Sequence, residues 1–434
     1  MKQRFILLTV ITGLVVLMCQ VSVVNAKTKK LKVWMQTQHY YEPWQEVVQE
    51  FEKDYGYKVE VEFLGAWANA RIKIMSNFAA GTPPDVMEVR PSWTAEFGIR
   101  GFAKDLTEEI SQWPAAKDFF EKALEEPKYG EKFYGIKAFG TAEMMFYNKS
   151  IFRGAGLDPE NPPTTWDETL KVAKTLTCDL NGDGVLDRYG WGIAPKKWAQ
   201  TASFMSWLAA SGTPFFNEER TLVNLDTQQA IALGRFLQDL KEVSYVAESS
   251  APADAMRKRF ATGEDLGMIS GITVDVGNIR RVNPDLDYGI SYMPVPEGQD
   301  YCTSLHGPHF IIPADAENPE AGWELLKRFE NVEKLVEITK QYGMTFPRKS
   351  WAQNPEVQKL PMMQKLSSIL ETASSYFGLQ LIKELGMPSV TGKIGKELIY
   401  DLYEKIIYQN EDPTQAFKEF TEEANKLIQE ERGR

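Results

Sequence analysis

Three short segments carry side chains suited to gripping a polar molecule. They are Gln36–Tyr41 (with Gln36, His39 and Tyr40), Gly65–Trp67, and Arg90–Trp93. Each sets hydrogen-bonding groups beside an aromatic ring. Rings cover apolar faces, while amide, imidazole and guanidinium groups bond a polar rim. The elements before these segments decide whether they meet. Leu31, Val33 and Met35 alternate with Lys32 and Trp34, and Val59, Val61 and Phe63 alternate with Glu60 and Glu62. Both patterns predict strands, and Asp85–Val89 predicts a third. Helical periodicity lies between them, at Trp44, Val47, Val48, Phe51 and Tyr55, and again over 69–80 up to Gly81. Strand–helix–strand–helix–strand predicts a parallel sheet with helices on its faces. Ligands bind outside the carboxyl ends of such strands, where all three segments fall. Packing explains any one of them; three on one edge favour a ligand.

Other residues suggest metal chemistry. Asp179-Leu180-Asn181-Gly182-Asp183-Gly184-Val185-Leu186-Asp187 places oxygens of Asp179, Asn181, Asp183 and Asp187 at calcium-loop spacing, with Gly184 at the sixth place. The twelfth place is Gly190, so the usual bidentate Glu is missing. The alternative is an Asx-rich turn before a strand at 189–193. If calcium binds, its role is structural. The three histidines, His39, His306 and His309, show no zinc-ligand spacing with Cys or carboxylates. No carboxylate pair stands out as glycosidase-like.

Further along, an apolar segment from Tyr134 turns into a surface loop broken by Pro159, Pro162 and Pro163, and a helix opens at Thr165. The segment reads as a passage between two lobes, with Thr141 and Glu143 at its mouth. Trp198 follows the polar Pro195-Lys196-Lys197 and is a candidate stacking surface, whereas Trp207 lies in an apolar stretch and reads as core. Arg257-Lys258-Arg259 reads as a solvated helix face. Ser270, Thr273 and Asp275 read as helix caps at a strand-to-helix junction.

The chain has 434 residues, 43% hydrophobic and 25% charged, enough for two cores. Its net charge of −11, without a basic cluster, excludes nucleic acid as the expected partner. Lys2 and Arg4 precede an apolar run over 5–24 that closes on Val24-Asn25-Ala26. This predicts a secretory signal peptide cleaved after Ala26, leaving a mature chain two units more acidic. Leu17-Met18 before Cys19 is a poor lipoprotein signal. Cys178 and Cys302 then remain, as a disulfide or as two thiols.

Several strings recur in a familiar order: Gly81-Thr82-Pro83-Pro84-Asp85-Val86, Tyr134-Gly135-Ile136, Tyr147-Asn148-Lys149-Ser150-Ile151-Phe152, Gly154-Ala155-Gly156-Leu157, and Pro162-Pro163-Thr164-Thr165-Trp166-Asp167-Glu168. Gly263-Glu264, Met268-Ile269-Ser270-Gly271 and Met293-Pro294-Val295-Pro296-Glu297-Gly298 follow. Together they resemble the extracellular solute-binding proteins of bacterial ABC importers, in the sugar-binding branch that includes maltose-binding protein. The resemblance implies an α/β fold of periplasmic binding protein type II. Its two discontinuous lobes would each hold a mainly parallel sheet flanked by helices, around a ligand cleft. It divides the chain into 27–140 with 303–346, and 141–302 with 347–434. It implies a monomer without enzymatic activity that captures a carbohydrate and delivers it to membrane permease subunits. The candidate site is Gln36, His39, Trp67, Arg90, Trp93, Thr141, Glu143, Trp198, Gly271, Thr273, Asp275 and His306. Two departures stand out: Ile272-Thr273 replaces a common Pro-Trp, and Thr141 replaces a carboxylate two residues before Glu143. A secreted glycan-active enzyme and a binder of a non-sugar solute are the alternatives.

Overall fold

The computed structural model describes residues 29–433 except 37, 66, 195–197, 249–250, 252–254, 361 and 376–382. The expected signal segment, 1–26, lies outside the described residues. So do the side chains of His39 and Trp198.

In chain order the strands are β1 (Lys29–Met35), β2 (Tyr57–Phe63), β3 (Val86–Val89), the hairpin β4 (Lys128–Tyr129) and β5 (Lys132–Phe133), β6 (Ile136–Lys137), β7 (Thr141–Asn148), β8 (Tyr189–Ile193), β9 (Ser244–Val246), β10 (Leu266–Ile272), β11 (Tyr288–Ser291), β12 (Ser304–His306), β13 (His309–Ile311) and β14 (Ser374–Ser375). The helices used below are α1 (Gln45–Tyr55), α2 (Trp67–Ala80), α3 (Pro91–Ile99), α4 (Trp166–Leu176), α5 (Trp198–Ala210), α6 (Gln228–Lys241), α7 (Ala255–Thr262), α8 (Asp275–Val282), α9 (Pro319–Phe329), α10 (Val332–Tyr342) and α11 (Pro413–Arg432).

Local signals account for the element ends. α1 buries Val47, Val48 and Phe51 and stops at left-handed Gly56. α4 opens on a capping box in which Thr165 and Glu168 satisfy each other's backbone N–H groups. One sheet runs β2-β1-β3-β13-β6, the other β14-β12-β7-β10-β8-β9 with β11 also on β7. Two sheet-containing lobes are therefore present, as expected. The sheets are mixed, however, not mainly parallel. β1, β2 and β3 are parallel, but β13 runs antiparallel to both β3 and β6. In the other sheet β8, β9 and β10 are parallel, while β7 runs against β10, β11 and β12. The physical reason is the passage itself. A strand returning from the other lobe enters its sheet from the edge where the outgoing strand left.

Two passages lie side by side. The outgoing chain leaves at Lys137 and enters β7 at Thr141; the return leaves β12 at His306 and enters β13 at His309. The N–H of Ala138 donates to the carbonyl of Pro308 across them (3.0 Å). A third segment joins at Thr345, whose hydroxyl donates to the Gly140 carbonyl (2.5 Å) and whose carbonyl accepts from the Gly140 N–H (3.1 Å). Lys349 and Ser350, expected in the second lobe, hydrogen-bond instead to Lys117 and Asp118 of the first.

One core holds Trp44, Phe51, Phe310, Phe329 and Trp351 and continues through Phe139 and Met144 along the passages. The other holds Trp191, Trp207, Phe236 and Phe417, with α6 and α11 packed together. Trp207 is core, as its context indicates. Cys178 and Cys302 do not form a disulfide.

Gly307 makes the return passage possible. Its φ is +112°, and a Cβ there would lie 2.2 Å from the Phe139 carbonyl oxygen. Gly307→Ala is expected to lower the unfolding free energy by roughly 1–3 kcal/mol from backbone strain, with the clash adding to that. Urea denaturation measures it, and an unchanged midpoint would refute the close approach.

Candidate functional site

Topology brings the carboxyl edges of both sheets to the passages. His309, the first residue of β13, pairs with Val89 at the end of β3, and Lys137 at the end of β6 pairs with His309. Glu143, near the start of β7, pairs with Ile272 at the end of β10, and β8 and β9 run parallel to β10. The loops that follow β1, β2 and β3 therefore face the passages from one side, and those that follow β8 and β10 from the other. This is the geometry of a cleft at a switch point.

On the first lobe, Gln36 sits just past β1 and is buried. Its carbonyl accepts from the Gly65 N–H (3.0 Å), which ties the first two loops together. The Gln36 N–H donates to Oε2 of Glu88 (2.9 Å). Glu88 lies in β3, whose four residues are all buried, and its Oε1 has no hydrogen-bond partner among the described residues. Burial pushes its carboxyl up to about 7, against the pull of the Gln36 N–H. Trp67 opens α2 and is partly exposed, with the Arg90 guanidinium 5.1 Å from its ring centre. Trp93 meets Trp67 edge to face at 5.5 Å, but is buried among Trp34, Val89 and Phe97. Trp93 therefore buttresses Trp67 from the core.

On the second lobe, Glu143 is fully buried in the passage strand. Its Oε1 accepts from the Ser203 hydroxyl (2.6 Å), and Oε2 has no partner among the described residues. Burial pushes this carboxyl up to about 7. Arg257 and the Ser203 and Ser270 hydroxyls oppose the shift, and Asp275 adds to it. Asp275 is spent within the protein: Oδ2 accepts from the Ile272 N–H and from Arg257 Nε (2.8 Å each), and Oδ1 accepts from Asn278 (3.1 Å). Gly271 is buried beside Phe146, where a Cβ would meet the ring at 2.9 Å. Thr273 is buried and its hydroxyl meets that of Thr345 (3.1 Å). Thr141 is buried opposite His306 in the β7–β12 pairing. His306 thus stands on a strand instead of in a loop, and burial lowers its imidazole to about 4. Trp198 opens α5, so its backbone is helical where a loop was expected.

Residue type and spacing did not reveal Glu88, Ser203 or Arg257. For Glu88 the available signal was a charged residue inside an otherwise apolar strand, which is rare unless it has a job. Arg257-Lys258-Arg259 is not simply a solvated face. Arg257 pairs with Asp275, and Arg259 pairs with Asp265 and lies over Tyr245.

Over the calcium spacing the side chains bond the backbone of their own turn. Asp179 accepts from the N–H groups of Asn181, Gly182 and Gly184; Asp187 from Leu180 and Asn181; Asn181 from Asp183; and Asp183 from Val185. Among the described residues, no group of three or more His, Cys, Asp or Glu side chains is arranged to hold a metal ion.

A family model described as bacterial extracellular solute-binding protein matches residues 36–359. The chain belongs to that family. A binding protein of Brucella abortus (strain 2308) is 25% identical over 258 residues, 58% of this chain and 60% of the other. The sn-glycerol-3-phosphate-binding periplasmic protein UgpB of Agrobacterium fabrum is 25% identical over 275 residues, 60% of this chain and 58% of the other. The match thus spans about three-fifths of these relatives' length. The crystal structure of an ABC transporter solute-binding protein of Thermotoga lettingae, bound with α-D-tagatose, superposes with a TM-score of 0.77. It is 23% identical, and the match covers 92% of this chain and 100% of that one. That likeness establishes the two-lobed fold.

Three buried carboxyls set a pH dependence. Glu88 and Glu143 are raised from the carboxylate range to about 7 and Glu330 to about 8 in the folded state, so the folded protein binds more protons than the unfolded one in between. The stability this gives at low pH is lost as pH rises through these values. The ligand-free protein is expected to lose about 1 kcal/mol for each of Glu88 and Glu143 between pH 6.5 and 8, and less for Glu330. Denaturant melts across that range measure it, and a rise in stability would contradict the burial of these groups.

Proposed function

We propose that this protein captures a carbohydrate in the cleft between its lobes and hands it to the permease subunits of an ABC importer. The observation that carries this reading is Glu143. It stands on the strand that joins the lobes, and it buries an oxygen that has no partner among the described residues. A ligand reached from both lobes at that point favours the closed arrangement through contacts it makes only there. Trp67 offers a ring face for the apolar side of a sugar, with the Arg90 guanidinium over the ring. Family membership supports a binding role over catalysis, and it supports export. The reading includes cleavage of the signal peptide after Ala26 and action as a monomer.

The sn-glycerol-3-phosphate relatives give a second reading, a phosphorylated polyol. A thermal-shift screen with monosaccharides, disaccharides and sugar alcohols tests the first. A ligand at 100 times its Kd stabilises by about 2.7 kcal/mol, which shifts Tm by several degrees. No shift with any of them would sink the carbohydrate reading.

The two tryptophans are expected to separate. Trp67→Ala should weaken binding of the hit at least tenfold with little change in Tm. Trp93→Ala removes a buried ring and should cost about 3–5 kcal/mol of stability. Isothermal titration and urea melts read the two effects. Equal loss of stability in both variants would place Trp67 in the core as well.

A further inference from the structure

Two helices of the first lobe, α2 and α3, face each other across three contacts. Trp67, Arg71 and Phe78 stand four and then seven residues apart, on one face of α2; Trp93, Glu96 and Phe97 answer them from α3. Trp67 meets Trp93 edge to face at 5.5 Å, Arg71 Nη2 donates to Glu96 Oε1 at 2.7 Å, and Phe78 meets Phe97 edge to face at 5.2 Å. The last contact lies in the core, where Phe97 is fully buried. The first lies at the open end of α2, whose first turn carries no acidic residue to favour it. A ring on such a turn frays with it unless the helix is held a turn further along.

Arg71 supplies that hold. Its guanidinium lies 5.3 Å from the centre of the Trp93 ring while Nη2 is bonded to Glu96. Nη1 is buried and has no hydrogen-bond partner among the described residues. A buried donor left that way costs stability, and the electron-rich face of Trp93 is what this cation has in place of an acceptor. The Glu96 side chain is 5% exposed and also pairs with Arg100 (3.2 Å), one turn on. It is thus held from within α3 and presents a fixed oxygen to α2. Arg71 therefore reaches both the carboxylate that anchors it and the ring that touches Trp67. The Arg90 guanidinium lies over Trp67 (5.1 Å), so each ring of the pair carries a cation.

We propose that Arg71 is a positioning residue: it fixes the Trp67 ring by holding Trp93 and, through Glu96, the first turns of α2 against α3. This rests on the solute-binding reading above for what Trp67 does, and Arg71 itself touches no ligand. A ring already held in place loses little freedom when a ligand stacks on it, and the affinity gains by that amount.

Circular dichroism and isothermal titration on the full mature chain test it. Two indoles this close couple their transitions and give a paired positive and negative band in the ultraviolet. Trp113–Trp323 (5.5 Å) and Trp191–Trp207 (5.7 Å) give bands of their own, so the Trp67–Trp93 signal is read as the difference between wild type and Trp67→Phe. Arg71→Met keeps the stem and removes the charge and the bond to Glu96. Glu96→Gln keeps the shape and removes the anchoring charge. Both variants are expected to lose most of that difference signal. Both are also expected to bind the compound found by thermal shift about threefold to tenfold more weakly, the cost of ordering a freed side chain. The Tm of Arg71→Met is expected to fall by no more than about 3 °C, as for a partly exposed ion pair. A full difference signal in either variant would overturn the proposal. So would a fall in Tm with signal and affinity unchanged, since Arg71 would then serve the fold alone. If the screen yields no ligand, the carbohydrate reading falls, and the difference signal by itself still decides whether Arg71 fixes Trp67.

Discussion

The structure depends on one buried charge cluster at the foot of the passages. Lys137 ends the outgoing strand, His309 begins the return strand, and Glu126 reaches both from the first lobe; all three are fully buried. Lys137 is ion-paired with Glu126 and also donates to the Gly307 carbonyl (3.2 Å). His309 Nε2 lies 3.4 Å from the same Glu126 oxygen, and its Nδ1 meets the Thr94 hydroxyl at 2.9 Å. Lys137 and the imidazole hold Glu126 down to about 2, against the burial that would raise it. Burial pulls Lys137 down from the usual ammonium range, with Glu126 opposing. Removing one member of such a cluster leaves a charge stranded in a low-dielectric interior, at a cost of about 3–5 kcal/mol. The two crossing strands are therefore locked to each other and to the first lobe up to the residues that pair in β6 and β13. Between those pairs and the second sheet lie only residues 138–140 and 307–308. Thr345 bonds this short stretch from a third side.

From this anchor the rest of the site follows by register. Once Lys137 and His309 are paired, His309 against Val89 puts the end of β3 beside the passage, and with it Glu88 and the loop that carries Arg90. Two residues beyond Thr141, Glu143 pairs with Ile272 and brings the end of β10 to the same place. The cleft does not arise from the loops that line it. Strand directions fix it, and the loops only furnish it. This is why the sheets must be mixed. A passage strand in a purely parallel sheet would enter from the wrong end and carry Glu143 away from the first lobe.

Much of this was legible in the sequence, for definite reasons. The strand–helix alternation over 31–89 rests on periodicity, which buried faces enforce, so β1, β2 and β3 could be read directly; the segments after β1 and β3 were read as loops, but Gln38–Tyr41 and Pro91–Ile99 are helical. β8 was bounded correctly at Tyr189–Ile193 because turn residues flank it. Glu143 was placed by its position at the mouth of the passage, and it does stand on β7. Trp93 was misjudged because an aromatic after a strand looks alike in sequence whether it turns inward or outward; its inward turn is set by Phe97 and Trp34, which are distant from the loop pattern. Arg257 was read as solvated for a related reason. Its partner Asp275 comes from another element, and no local spacing announces an ion pair between elements. Thr273 and Asp275 were read as capping residues, but α8 opens after Val274 without a side-chain cap; Thr273 meets Thr345 instead, and Asp275 accepts from the Ile272 N–H ahead of the helix.

The division between groups that hold the fold and groups held ready explains why the site tolerates buried carboxylates at all. A buried acceptor without a partner costs about 1–3 kcal/mol. Among the described residues Glu88 and Glu143 each leave one such oxygen, as do Glu126 and Glu330, so the ligand-free protein carries a penalty that the large cores on either side of the passages must offset. A ligand hydroxyl that reaches either oxygen recovers that penalty, and a ligand that reaches both recovers it only when the lobes come together. The cost therefore acts as a bias. It makes the empty closed arrangement unfavourable, and the same groups make the filled one favourable. A site lined only by satisfied groups such as Asp275 would bind the same ligand more weakly and with less difference between its states.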